Sequence, residues 1–295
     1  MFSKIIRSWI ALFLLICSGS AIAAESLILT APPRESAAAG QKLYGPLAKA
    51  LSNLLGQPVT YVHPKTWISY SIDMRKGKYD IVFDGPQFES WRIAHQNAVP
   101  LARLPGFLQF YVAVSDPKIT SMEQLIAKRV CAISSPNLTS LVVLDQFRDP
   151  ARQPIMVNVK GGMPGIYKAQ TSGKCVAAIY RTNFYNGHLT DDQKQGLHIL
   201  FTSAKIPNQG FSAGSKLSQA QVSKLSDYML SGKSDPVLMP IVKRFSKNAT
   251  GLIGANAAEY KGYNALLEDN VWGWSPNPIW EHLADPGKSP QKAQQ

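Results

Sequence analysis

Arg75-Lys76-Gly77-Lys78-Tyr79-Asp80-Ile81-Val82-Phe83-Asp84-Gly85-Pro86-Gln87 reads as a helix end, a glycine stop, a short buried strand and an abrupt exit through Asp-Gly-Pro. Ile81-Val82-Phe83 is apolar without alternation, the pattern of a strand covered by helices on both faces of a parallel sheet. Gly77 stands where a helix needs a residue of positive φ after its C-cap. Arg75 and Lys76 sit favourably at the negative end of the helix dipole. Asp84-Gly85-Pro86 falls just past the carboxyl end of the strand, where open α/β sheets hold their ligands. From these residues alone, an ordinary β-to-α turn fits as well as a ligand site.

Upstream, Leu27-Ile28-Leu29-Thr30 is a first strand, ended by Ala31-Pro32-Pro33-Arg34. Leu43, Leu47, Leu51, Leu54 and Leu55 recur at helical spacing up to a stop at Gly56. Pro58-Val59-Thr60-Tyr61-Val62 is a second strand, and Trp67-Ile68-Ser69-Tyr70 opens the helix that leads into the quoted stretch. Downstream, Pro86 suits a first helical turn, with Phe88, Trp91, Ile93 and Ala94 along the apolar face. Residues 107–114 read as one aromatic strand, and Thr120-Ser121-Met122-Glu123 as a capping box with Thr120 at the cap. Arg129-Val130-Cys131-Ala132-Ile133 is the next strand. Strands alternating with helices predict βαβ units and a parallel sheet.

The plan then repeats. Gly173-Lys174-Cys175-Val176-Ala177-Ala178-Ile179-Tyr180-Arg181 has the order of the opening stretch: helix end, Gly-Lys, two residues, then an apolar strand running into polar residues. Two similarly built lobes are expected, with residues 197–202 a strand that returns the chain to the first. Between them, Ser134-Ser135-Pro136-Asn137-Leu138-Thr139-Ser140 links a strand to the helix Leu141-Val142-Val143-Leu144. Hydroxyls converging with backbone N–H groups at a helix N-terminus make an anion cradle; a plain Ser/Thr cap explains the same residues.

The N-terminus reads as a secretory signal: Lys4 and Arg7, an apolar run over 9–16, and Ala21-Ile22-Ala23 as the cleavage site. The 295-residue chain carries a formal charge of +12, with 45% hydrophobic and 17% charged residues. This is the composition of a well-filled globular protein of two ordinary domains. Its positive balance favours anions or acidic surfaces, while the scattered basic residues give no nucleic-acid signature. Cys17 leaves with the signal, so Cys131 and Cys175 are an even pair in an oxidising compartment, bonded or both buried as thiols. The histidines form no metal-ligand or nucleophile–base spacing, so neither metal nor cofactor is expected.

The order of these elements resembles the periplasmic phosphonate-binding-protein family, the substrate-binding components of ABC importers with the type II periplasmic binding fold. The resemblance is carried by Gly77-Lys78-Tyr79-Asp80-Ile81-Val82-Phe83 with Gly85-Pro86, by Ser115-Asp116-Pro117-Lys118-Ile119-Thr120-Ser121-Met122-Glu123-Gln124-Leu125, and by Ser135-Pro136-Asn137-Leu138-Thr139-Ser140. It implies two α/β lobes, each a mostly parallel sheet flanked by helices, with two hinge crossovers near 109–114 and 201–206. The implied division is signal peptide 1–23, first lobe 24–111 with 205–284, second lobe 112–204 and a disordered tail 285–295. Departures bear on the ligand. Of the family's Ser-Thr-Ser-Gly turn only Thr139 and Ser140 carry over, Gly162-Met163-Pro164 replaces its histidine region, and Val176 stands where an acid often follows Gly-Lys. An amino-bearing phosphonate is therefore a poor fit.

The expected function is an exported, monomeric solute-binding protein that closes over a small anionic ligand and delivers it to an ABC permease. The candidate contacts are Arg34, Trp67, Tyr70, Asp84, Gly85, Pro86 and Gln87 from the first lobe, and Ser135, Asn137, Thr139, Ser140, Tyr180 and Arg181 from the second. Arg34 and Arg181 suit a bidentate anion, and Trp67 and Tyr70 an apolar or ring-bearing portion. One alternative partner is a membrane sensor kinase. An enzyme on the same fold, with Asp84 as a base beside Tyr70, and an interaction protein using Trp272, Trp274 and Trp280 are further alternatives.

Overall fold

The computed structural model describes residues 25–147, 149–271 and 273–275. The expected signal peptide, the tail over 285–295, Trp272 and Trp280 lie outside the described residues. β1 (Leu27–Thr30), α1 (Ala37–Leu55), β2 (Val59–Tyr61), α2 (Trp67–Arg75), β3 (Ile81–Asp84), α3 (Pro86–Gln96) and β4 (Val99–Arg103) follow in order. β1 pairs in parallel with both β2 and β3. Every β3 residue is buried, as its unbroken apolar sequence requires.

The chain leaves this sheet through β5 (Phe107–Leu108) and builds β6 (Phe110–Val114), β7 (Arg129–Ala132), α4 (Leu138–Leu144), β8 (Ile155–Asn158), α5 (Gly162–Thr171), β9 (Ala177–Arg181), α6 (Thr182–His188), α7 (Asp191–Lys194) and β10 (His198–Thr202). It returns through β11 (Ile206–Pro207), which pairs antiparallel with β5, to β12 (Gly210–Ala213). Then come α8 (Gln219–Leu230), α9 (Asp235–Phe245), β13 (Ile253–Gly254) and α10 (Ala265–Glu268).

Both sheets follow one plan. The first runs β2-β1-β3-β12-β4 with β13 at its edge, and the second β8-β7-β9-β6-β10. In each, the strand arriving from the β5/β11 ribbon is reversed, antiparallel to both neighbours. The repeat extends to the caps. After α2, Gly77 N–H donates to Met74 O and Lys78 N–H to Asp73 O; after α5, Gly173 N–H donates to Gln170 O and Lys174 N–H to Ala169 O. These are two Schellman motifs, with Gly77 at φ +67° and Gly173 at φ +76°, each delivering the chain to the third strand of its sheet.

Three cores hold the layers. Leu29, Leu47, Leu51, Phe83, Phe211 and Ile241 pack one face of the first sheet. Ile166, Tyr180, Tyr185 and the bonded Cys131–Cys175 pair pack one face of the second. The largest core is shared: Tyr70, Phe88 and Trp91 of the first lobe join Leu141 and Val143 of the second, with Leu267 and Trp274 from the C-terminal segment. Trp274 lies 5.5 Å from both Phe88 and Trp91, and its carbonyl accepts from the Trp91 indole.

Some local readings are corrected. The strand expected over 107–114 breaks at Gln109, where the amide side chain donates to Ser203 O and the Ser203 hydroxyl accepts from Phe110 N–H at the crossover. The cap after Asp116 starts one residue later than expected. Gln124 Oε1, not Glu123, accepts from Thr120 N–H and Ser121 N–H at 2.6 and 3.1 Å. On α3 the buried face holds Phe88, Glu89, Trp91 and Arg92, leaving Ala94 exposed and Ile93 half-buried. Polar partners rather than apolar periodicity decide that face.

Candidate functional site

β3 ends on Asp84, which is fully buried. Tyr70, from α2, donates its hydroxyl to Asp84 Oδ2 at 2.6 Å, and Arg92, two turns along α3, donates from Nη2 to Asp84 Oδ1 at 3.1 Å. Burial pushes the Asp84 carboxyl up, and the Arg92 guanidinium opposes this. Burial alone would lower Arg92, but Asp84, Tyr70 and Glu89 together raise it, so it stays charged. Glu89 is also fully buried. Desolvation first and Asp84 second hold its carboxyl well above the usual range. One guanidinium thus serves two buried carboxyls, both pushed up by burial, with Asp84 the one it bonds. Tyr70 and Asp84 are structural members of this cluster rather than ligand contacts, because their polar atoms are spent on each other and on Arg92.

Arg34 follows β1, and its Nη1 is buried without a hydrogen-bond partner in the protein. Its guanidinium carbon sits 5.3 Å from the Phe245 ring centre. Arg181 ends β9 in the other lobe. Burial first, and Arg34 second, lower the pKa of Arg181 from the ordinary arginine value. Two guanidiniums from opposite lobes therefore feel each other, each just past the carboxyl end of a parallel strand. Neither has an ion-pair partner among the described residues.

The turn after β7 meets the first lobe directly: Gln87 Nε2 donates to Pro136 O at 3.1 Å, across the cleft. Ser135, joined to Pro136 by a cis peptide, is exposed here. The hydroxyls expected to cradle an anion are committed elsewhere. Thr139 Oγ1 accepts from Ile133 N–H at 3.0 Å and donates to Asn137 Oδ1 at 2.9 Å, and Ser140 Oγ donates to Ile133 O. Asn137 Oδ1 caps α4 through Thr139 N–H. Thr139, Ser140 and Asn137 thus fasten the helix to the strand. Tyr180 does not reach the cleft, because neighbouring strand residues point to opposite faces. Its hydroxyl donates to Gln170 Oε1 at 2.6 Å inside the second lobe. Trp67 is half-buried, stacked on Phe88 and edge-on to Tyr70. Gly85 caps α3 where a Cβ would come within 2.6 Å of Gln87 Oε1, and Pro86 starts the helix.

A cavity of about 580 Å³ lies between the lobes beside the β5/β11 ribbon. Arg181, Met163 and Phe184 line it from the second lobe, Phe245 and Lys247 from the first, and Phe107 from the ribbon. Among the described residues, no Asp or Glu lines it. Of these, only Arg181 stood out in the sequence. The others sit at or near the ends of helices or, for Phe107, on the short ribbon strand β5, positions that carry no local signature. Among the described residues, no group of three or more His, Cys, Asp or Glu is placed to hold a metal.

Residues 29–260 match the family model for the periplasmic phosphonate substrate-binding protein of ABC transporters. The chain belongs to the periplasmic phosphonate-binding family of ABC-transporter substrate-binding proteins. No curated protein matches it by sequence. Among solved structures, this phosphonate-family chain is similar to a Xanthomonas citri protein bound to ATP, with 14% identity over 84% of this chain and 100% of that one, TM-score 0.64. It is also similar to PhnD1 of Prochlorococcus marinus in complex with methylphosphonate, with 16% identity, 82% and 97% coverage and TM-score 0.57. A binding component of a Pseudomonas aeruginosa ABC phosphonate transporter gives 15%, 80%, 83% and 0.53. At such identities the likeness is one of fold: the two-lobed type II architecture of periplasmic binding proteins.

Proposed function

We propose that the protein captures a small oxyanion between its lobes, on Arg34 and Arg181, and delivers it to an ABC importer after export on the leader over 1–23. The observation that carries this reading is the pair of guanidiniums, one from each lobe, without a carboxylate partner among the described residues. Each can bind an oxyanion bidentately, and a ligand held by both would draw the lobes together. Phosphorus oxyanions are the ligands of two similar folds, methylphosphonate and ATP, and family membership supports the same class here. The reading is one of binding without turnover. Asp84, the acid that the sequence offered as a base, is fully buried and bonded to Tyr70 and Arg92, out of reach of a substrate proton.

Calorimetric titration of the mature protein with inorganic phosphate, methylphosphonate and phenylphosphonate tests this. At least one of them binds, and Arg34→Ala and Arg181→Ala each weaken that affinity roughly tenfold to a hundredfold, the scale of a lost charged hydrogen bond. Absence of heat with all three probes, or unchanged affinity in both variants, overturns the assignment.

A further inference from the structure

We infer that the bound oxyanion carries a planar ring, an aryl phosphonate or aryl phosphate being its simplest form. The inference rests on the anion site proposed above and adds the chemistry of the cavity beside it. A volume of about 580 Å³ lies within the range of sites that enclose whole organic molecules, far more than a phosphonate head with a methyl group fills. Its apolar wall is aromatic and comes from three separate parts of the chain: Phe184 of the second lobe, Phe245 of the first and Phe107 of the ribbon.

The rings are fixed in advance. Phe184 stacks between Tyr180 and His188, at 6.2 Å and 14° to one and 5.6 Å and 13° to the other. Phe245 has the guanidinium carbons of Arg34 and Arg244 at 5.3 and 5.1 Å. Orienting these rings costs the ligand little, and rings that meet them gain from stacking as well as area. Phe107 is 53% exposed, with the Arg103 guanidinium carbon 5.7 Å from its ring centre. Met163 adds a polarisable side chain that adapts to an irregular body. The charged lining residues are Arg181 and Lys247, with no acid to receive an ammonium group. An aminoalkyl phosphonate would strand its cation here, whereas an aryl phosphonate places its charge on the arginines and its ring on the phenylalanines.

The test titrates methylphosphonate, phenylphosphonate and the neutral benzyl alcohol into the mature protein. Phenylphosphonate is expected to bind at least tenfold tighter than methylphosphonate, with benzyl alcohol giving no measurable heat. Phe184→Leu, checked by thermal unfolding to be native, should remove most of that advantage while leaving methylphosphonate unchanged. Methylphosphonate binding as tightly as phenylphosphonate overturns the ring inference but leaves the anion site standing. Benzyl alcohol matching phenylphosphonate overturns the anion site instead. Phenylphosphonate preference that survives both Phe184→Leu and Phe245→Leu removes this cavity as its seat.

Discussion

Asp84 shows how far one residue's position and its role can diverge. Its place after an unbroken apolar strand was legible, because the strand and the glycine stop are local signals. Its function was not, because an acid at a strand end faces either a ligand or a buried cation, and Arg92 lies on a helix whose face was judged by its apolar residues. The neighbouring Glu89 gives a pH-dependent prediction. Burial first, and Asp84 second, hold its carboxyl well above the usual range in the fold, while the unfolded chain ionises near pH 4.3. Stability is therefore full below that pH and declines as pH rises toward the higher folded value. Glu89→Gln removes the decline, so it should raise the melting temperature by a few degrees at pH 7 and by nothing at pH 4. Equal melting temperatures of the two proteins at pH 7, or a loss there, would show Glu89 ionised in the fold. Arg34 and Arg181 could be named from sequence because an arginine at or after a strand end is a local pattern. Phe184, Phe245 and Lys247 come together only through the fold.

At the scale of elements, the Gly-Lys echo proved to be a repeated cap geometry. A Schellman turn needs positive φ at one residue, and glycine alone adopts it without cost. No atom lies within 4 Å of a Cβ built on Gly77 or Gly173, so an alanine there meets conformational strain and no clash. Gly77→Ala and Gly173→Ala should each lower unfolding free energy by about 1 kcal/mol, with an unchanged denaturant slope. Losses of several kcal/mol would point to a steric role. Among the elements that the sequence reading passed over, β12 has weak strand chemistry. Gly210-Phe211-Ser212-Ala213 contains no β-branched residue, and only its place between β3 and β4 makes it extended.

For the whole molecule, two lobes were legible because the strand–helix order occurs twice. Their closed contact was not, since it depends on Gln87 meeting Pro136 across the cleft and on a core shared by both lobes. Closure brings two like charges together, so Arg181 opposes it unless an anion intervenes. Arg181→Met should lose ligand affinity yet give a smaller radius of gyration than wild type when both are measured without ligand by small-angle X-ray scattering at low salt. Identical scattering from the two proteins would remove repulsion from the account. The path of the chain through these lobes also orders the birth of the fold. The second sheet is one unbroken run, from β6 to β10, and is complete once Thr202 has been made. The first sheet stays split between β3 and β4 until β12 arrives from beyond the hinge. A nascent chain therefore emerges with its N-terminal half unable to close its own sheet. That long-range dependence slows folding.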